Sequence, residues 1–215
     1  MDIQRKPKMA GSLTRIVGAL LLLSAWTAMG QSRSDADEKH LKQIRKRDSV
    51  DRAVQRGLAW LVRQQNPSTG EFKGKLVHTD TALACIALMA SGNFPGRSKY
   101  GQNLELGIRY LVAAAEKGKG LFGEQGNARM YGQGICTLAL GEAYGMMAAE
   151  KDNKAIRRAL GLALPVILKA QCKKKGNHYG GWRYKTTNHD ADLSVTAWQI
   201  LALRSAQNCK LPVPK

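Results

Sequence analysis

Several things are scarce in these 215 residues, and each scarcity narrows what the chain can be. Acids are few: 16 Asp and Glu stand against 34 Lys and Arg. Such an excess of bases favours acidic partners or surfaces. The bases are nevertheless scattered in RKR, KGK, EKGK and KKK clusters between apolar segments. With neither aromatic interleaving nor a one-sided basic stripe, no specific nucleic-acid interface is expected, and the charges read as solvated loops. Aromatics are thin as well, at four Trp, six Tyr and three Phe. The four cysteines, Cys85, Cys136, Cys172 and Cys209, include no CxxC pair, which excludes a zinc ribbon and a thioredoxin-type redox motif. Small buried residues are the expectation for Cys85 and Cys136. A Cys136–Cys172 disulfide is conceivable if two consecutive helices run antiparallel.

A long hydrophobic run is missing too. The longest, IVGALLLLSAWTAMG, spans about 15 residues where a bilayer needs roughly 20, so no permanent membrane span is expected. Arg5, Lys6, Lys8 and Arg15 precede or open this run, and Ala28-Met29-Gly30 places small residues where a signal peptidase reads them. Residues 1–30 are therefore expected to be a signal peptide cleaved before Gln31, and the protein is expected to be exported to the periplasm or the medium. Residues 31–50 read as a polar lead-in. Residues 51–215 form the folded domain, long enough for one sizeable core.

That domain repeats itself. Three amphipathic first halves, AVQRGLAWLVRQQ (53–65), LELGIRYLVAAAE (104–116) and AIRRALGLALPVILKAQ (155–171), alternate with three second halves. These are DTALACIALMASG (80–92), YGQGICTLALGEAYG (131–145) and SVTAWQILALRSA (194–206). The spacing of roughly 50 residues suits helical hairpins. In the first unit Ala53, Leu58, Leu61 and Val62 share one face, and Arg52, Gln55, Arg56 and Arg63 the other. The second halves are apolar nearly all round and rich in Ala, Gly and Thr, as buried helices are. An all-α fold follows, with amphipathic helices outside and apolar ones inside. Pro165 is the misfit, expected to kink its helix.

The connections share a second pattern. Gln65 leads through NPSTG to Gly70-Glu71-Phe72, and Gln171 leads through CKKKGNHYG to Gly181-Trp182. Unit two offers the weaker GKGLFG. The glycine permits positive φ, the aromatic packs on a neighbouring helix, and the glutamine amide satisfies open backbone groups. Asp80 and the pair Asp190 and Asp192 stand before second halves, where a carboxylate can cap a helix.

The Gln…Gly-(Phe/Trp) connections, with Asp80-Thr81-Ala82 and the Asp-x-x-x-Thr-Ala run from Asp192, resemble the repeats of squalene–hopene cyclases and protein prenyltransferase β-subunits. Secreted bacterial squalene-cyclase-like repeat proteins look most similar. The resemblance implies an α/α toroid of concentric helices over residues 50–209. A complete ring holds about six hairpins, so three make a half or truncated toroid with an open helical edge through which the chain could self-associate. It also implies that Asp192, with Asp190 as helper, could act as the Brønsted acid of a class II terpene cyclase and protonate an isoprenoid. Leu193 stands where that motif has its last Asp. Prenyltransferase β-subunits hold zinc through Asp, Cys and His, but the spacing of Cys172, His178, His189, Asp190 and Asp192 does not match, and neither metal nor cofactor is expected. Gly123-Glu124-Gln125 resembles the thioester site of complement-type proteins, but Phe122 stands where the required cysteine would be.

Two functional expectations result. The first, preferred because Asp80 echoes Asp192 as a cap, is a non-catalytic binding or scaffold module for an apolar ligand (an isoprenoid or lipid tail) or a protein partner. The second is a terpene cyclase-like isomerase using Asp192.

Overall fold

The computed structural model describes residues 49–123 and 126–214. The signal peptide, its cleavage site, nearly all of the polar lead-in and the Glu124-Gln125 pair lie outside the described residues. Val54–Lys215 forms one compact unit.

Among the described residues there are six α-helices and no strand: α1 (Ser49–Val62), α2 (Val77–Ala90), α3 (Gly101–Lys117), α4 (Arg129–Ala143), α5 (Glu150–Ala170) and α6 (Leu193–Asn208), with a 3-10 turn at Gly126–Ala128. The fold is all-α, a packed helical bundle. No described helix is long and apolar enough to cross a membrane. Helix α4 packs most extensively, against α6 and then α2, while α3 packs against α5. The apolar second halves of the sequence thus neighbour one another through α4, and the later amphipathic halves neighbour one another through α3 and α5.

Burial follows the sequence pattern closely. On α3, Leu104, Ile108, Leu111 and Ala115 recur at helical spacing and are all buried. On α4 nearly every residue from Met130 to Ala143 is inside. Two of its glycines let α6 approach closely: a Cβ on Gly134 would come to 3.0 Å from the Trp198 backbone, and one on Gly141 would crowd Ser205. A main core joins α2, α3, α4 and α5 around Leu88, Leu104, Leu140 and Leu160. A smaller one gathers Met130, Ile167, Trp182, Val195 and Ala202. Across the α3–α5 contact Arg109 bridges to Asp152 at 2.9 Å, and Asp152 holds its guanidinium pKa above the ordinary value.

Two expectations need correction. On α1, Leu58 is buried, and Leu61 and Val62 are half-buried, but Ala53 is exposed, so the apolar face starts later than its periodicity suggests. No disulfide joins Cys136 to Cys172; all four cysteines are buried thiols, and Cys172 instead donates to the His189 carbonyl at 3.1 Å. Pro165 lies inside the helix that runs from Glu150 to Ala170, with its ring on an exposed position.

Candidate functional site

The connections from α1 to α2, α3 to α4 and α5 to α6 place the residues that the sequence singles out. In the first, Gln65 Nε2 donates to the Gly70 carbonyl at 2.9 Å, and the Phe72 N–H donates to Thr81 Oγ1 at 2.9 Å. In the third, Gln171 Nε2 donates to the Gly180 carbonyl at 2.8 Å, and the Trp182 N–H donates to Thr196 Oγ1 at 3.0 Å. Backbone pairing agrees as well: Asn66 N to Glu71 O and Cys172 N to Gly181 O are both 2.8 Å. The second connection does the same work with different residues. Gln133, from inside α4, donates to the Gly120 carbonyl at 2.8 Å and accepts from the Phe122 N–H at 3.3 Å.

Gly70, Gly120 and Gly180 have φ of 89°, 90° and 83°, a left-handed region that an L side chain enters only with strain. The glycine that makes the third turn is therefore Gly180 rather than Gly181. Gly181 has a different task, since a Cβ there would collide with Ala191. Sequence reasoning missed Gln133 because it searched for a glutamine at the end of the outer helix. The signal was present in Gly120-Leu121-Phe122, which has the same Gly-x-aromatic form as Gly70-Glu71-Phe72.

Asp192 lies beside the third turn, in an open cleft of about 400 Å³ that also presents His178, Tyr179, Gly180, Leu193 and Thr196. It is the N-cap of α6: Oδ1 accepts from the Val195 N–H at 3.0 Å and from the Ser194 hydroxyl at 2.6 Å. These donors, the Ser194 hydroxyl foremost, hold its carboxyl below the ordinary Asp range. Asp190 faces elsewhere and pairs with Arg183 at 3.2 Å. Protonating an alkene requires a carboxylic acid that still carries its proton, enclosed in an apolar cavity. Asp192 is a half-exposed carboxylate whose ionised form is favoured. The arrangement suits helix capping.

Asp80 does not echo it. Helix α2 begins at Val77, so Asp80 lies inside the first turn and reaches back to the Leu76 N–H at 3.0 Å. Judged from the threonines that receive Phe72 and Trp182, the residue of α6 corresponding to Asp80 is Val195. The two aspartates both serve helix starts, but from different positions: in this register α2 and α6 start within one residue of each other, and Asp192 corresponds to Val77, three residues before Asp80.

The chain matches no family model, no curated protein and no solved structure. Among the described residues no three His, Cys, Asp or Glu side chains come together as a metal site. A second open cleft of about 400 Å³ lies between α1 and α2, with Trp60, Leu61, Phe72, Leu83 and Ala84 on its walls.

The Asp192 cap has a pH signature. A carboxyl with a depressed folded-state pKa stabilises the fold above its unfolded pKa of about 4, and this contribution is lost as pH falls through the folded value. Asn keeps a capping oxygen but does not titrate. In thermal melts from neutral to strongly acidic pH, Asp192→Asn is expected to stay folded at neutral pH and to show a shallower acid decline than the parent. Identical declines would count against the charged cap.

Proposed function

We propose that the chain is an exported helical-repeat module that binds a protein partner and performs no catalysis itself. The observation that carries this reading is the setting of Asp192, a helix cap in an open cleft whose hydrogen bonds favour the carboxylate. What favours a protein over an isoprenoid is the shape of the apolar surface. Small-molecule sites bury most of their ligand, whereas the two large clefts here are open, and large apolar side chains such as Trp60, Leu193 and Ile200 face outward. Export rests on the leader and on the Ala28-Met29-Gly30 cleavage pattern.

The finer architectural reading is a half toroid of the squalene-cyclase and prenyltransferase β-subunit type. Its support is the neighbourhood of α2, α4 and α6, the contact of α3 with α5, and the three Gly-x-aromatic turns held by glutamine amides. The test of function is incubation with squalene and shorter polyprenyl substrates, the parent beside Asp192→Asn. No cyclised product is expected from either. Product from the parent that disappears in the variant would establish the cyclase instead.

A further inference from the structure

Among the described residues both ends of the helical array are uncovered, and in complementary ways. At the junction between the first and second hairpins, Gly107 of α3 sits on the preceding unit. A Cβ there would meet Cys85 Sγ at 2.7 Å, the Phe72 ring at 3.6 Å and Gln65 Nε2 at 3.7 Å. One turn further on, Tyr110 stacks on His78 with ring centroids 5.7 Å apart. Gly70 in turn abuts the Leu106 carbonyl closely enough that any side chain would overlap it. The next junction repeats the fit. Gly120 abuts the Leu162 carbonyl, and Gln133 Nε2 reaches the Ala163 carbonyl at 3.4 Å.

Helix α1 carries the same face. Arg56-Gly57-Leu58-Ala59-Trp60-Leu61-Val62 aligns with Leu106-Gly107-Ile108-Arg109-Tyr110-Leu111-Val112, with Gly, Leu and Val at matching places. Here, though, Gly57 is exposed, and among the described residues nothing lies within 4 Å of a Cβ placed on it. Trp60, the counterpart of Tyr110, is 58% exposed.

The opposite end supplies the other half. Gly70 and Gly120 are buried, abutted by Leu106 of α3 and Leu162 of α5, whereas a Cβ on Gly180 would meet only Gln171 Nε2, at 3.9 Å. Thr81 and Thr196 fix the register of α2 and α6, since each receives the N–H of its aromatic. In that register Leu193 and Ile200 hold the places of His78 and Cys85. Both are exposed, Leu193 at 86%.

We propose that a second copy of this chain fills each end: Gly57 of one copy seats on Gln171 and Ile200 of the next, and Trp60 packs on Leu193. The contact continues a junction that the chain already builds internally, and both of its halves lie on this chain. It is heterologous, so copies join head to tail, closing into a ring or extending as an open chain. The proposal rests on the binding-module reading and names its partner.

Sedimentation of the full mature chain, from micromolar concentration upward, tests it. Concentration-dependent species larger than the monomer are expected. They should strengthen with salt, because each copy is strongly basic and unscreened copies repel. Gly57→Leu meets open space among the described residues of one copy and raises helix propensity, so it should fold normally and weaken association by roughly tenfold or more. Ile200→Glu, on an exposed position, should do the same from the other side. Mixed together, the two variants should recover association, since each retains the surface that the other lacks. A parent that stays monomeric at every concentration overturns the proposal, as does association that neither variant weakens. A monomer whose Gly57→Leu variant melts below the parent also overturns it, and gives the notch to the chain's own residues 31–48. None of these failures touches the non-catalytic reading, which only cyclised product would sink.

Discussion

Gly120→Ala is expected to be among the most damaging substitutions the chain can suffer, at about 3–5 kcal/mol in urea denaturation. Two costs add. The residue has φ of 90°, which an alanine adopts only at about 1–2 kcal/mol. The new methyl would also overlap the Leu162 carbonyl and lie 2.9 Å from the Ala163 nitrogen, both backbone atoms of α5. Backbone in the middle of a packed helix cannot step aside as a flexible side chain can. The turn or α5 must move, and the Gln133 bond to the Gly120 carbonyl is disturbed with it. Gly145→Ala is the control: its φ is 84°, with nothing within 4 Å, so only the torsional cost applies. Equal losses at the two positions would show that close approach to α5 contributes nothing.

Trp182→Ala is the second large effect, again about 3–5 kcal/mol. The ring is only 3% exposed within the smaller core, and its indole N–H donates to the Ile167 carbonyl at 2.7 Å. Truncation leaves a cavity between α5 and α6 and removes that donor. Trp182→Phe separates the two contributions. Phe72 and Phe122 occupy the same place in the other connections, each almost fully buried, so the turn accepts phenylalanine. The Phe variant should lose about 1–2 kcal/mol, the scale of one buried hydrogen bond and a modest change in volume. A Phe variant as unstable as the Ala variant would mean that the hydrogen bond, rather than packing, anchors this turn.

The helices were legible because periodicity is a property of the chain itself. The buried residues of α3 lie at the spacing the sequence displays, and the apolar run of α4 is inside on nearly all sides. The ends of helices were harder to place. Helix α2 starts at Val77 because Asp80 can reach back to the Leu76 N–H, a choice made by side-chain geometry rather than by residue type. The turn residues were legible by kind but not always by position. Gly180 and Gly181 are adjacent, and only backbone torsion and contact with Ala191 tell them apart. Gln133 was invisible as a tie because its amide approaches the second turn from a different helix. Asp192 was harder to read because its environment matters: Ser194 and the Val195 N–H, both within three residues, lower its pKa, and no motif states this.

The buried thiols have a kinetic consequence. Burial pushes the Cys85 pKa up to about 12, so at neutral pH only roughly one molecule in 10⁵ carries the reactive thiolate there. Cys209 is shifted in the same direction, by burial first and then by the nearby Glu142 carboxylate. Cys136 and Cys172 are buried as well. Reaction of Cys85 with an oxidant must therefore wait for the helices around it to part. Its rate of reaction reports on that opening: it follows the open population and the reagent where reclosing is fast, and the opening rate itself where reaction outpaces reclosing.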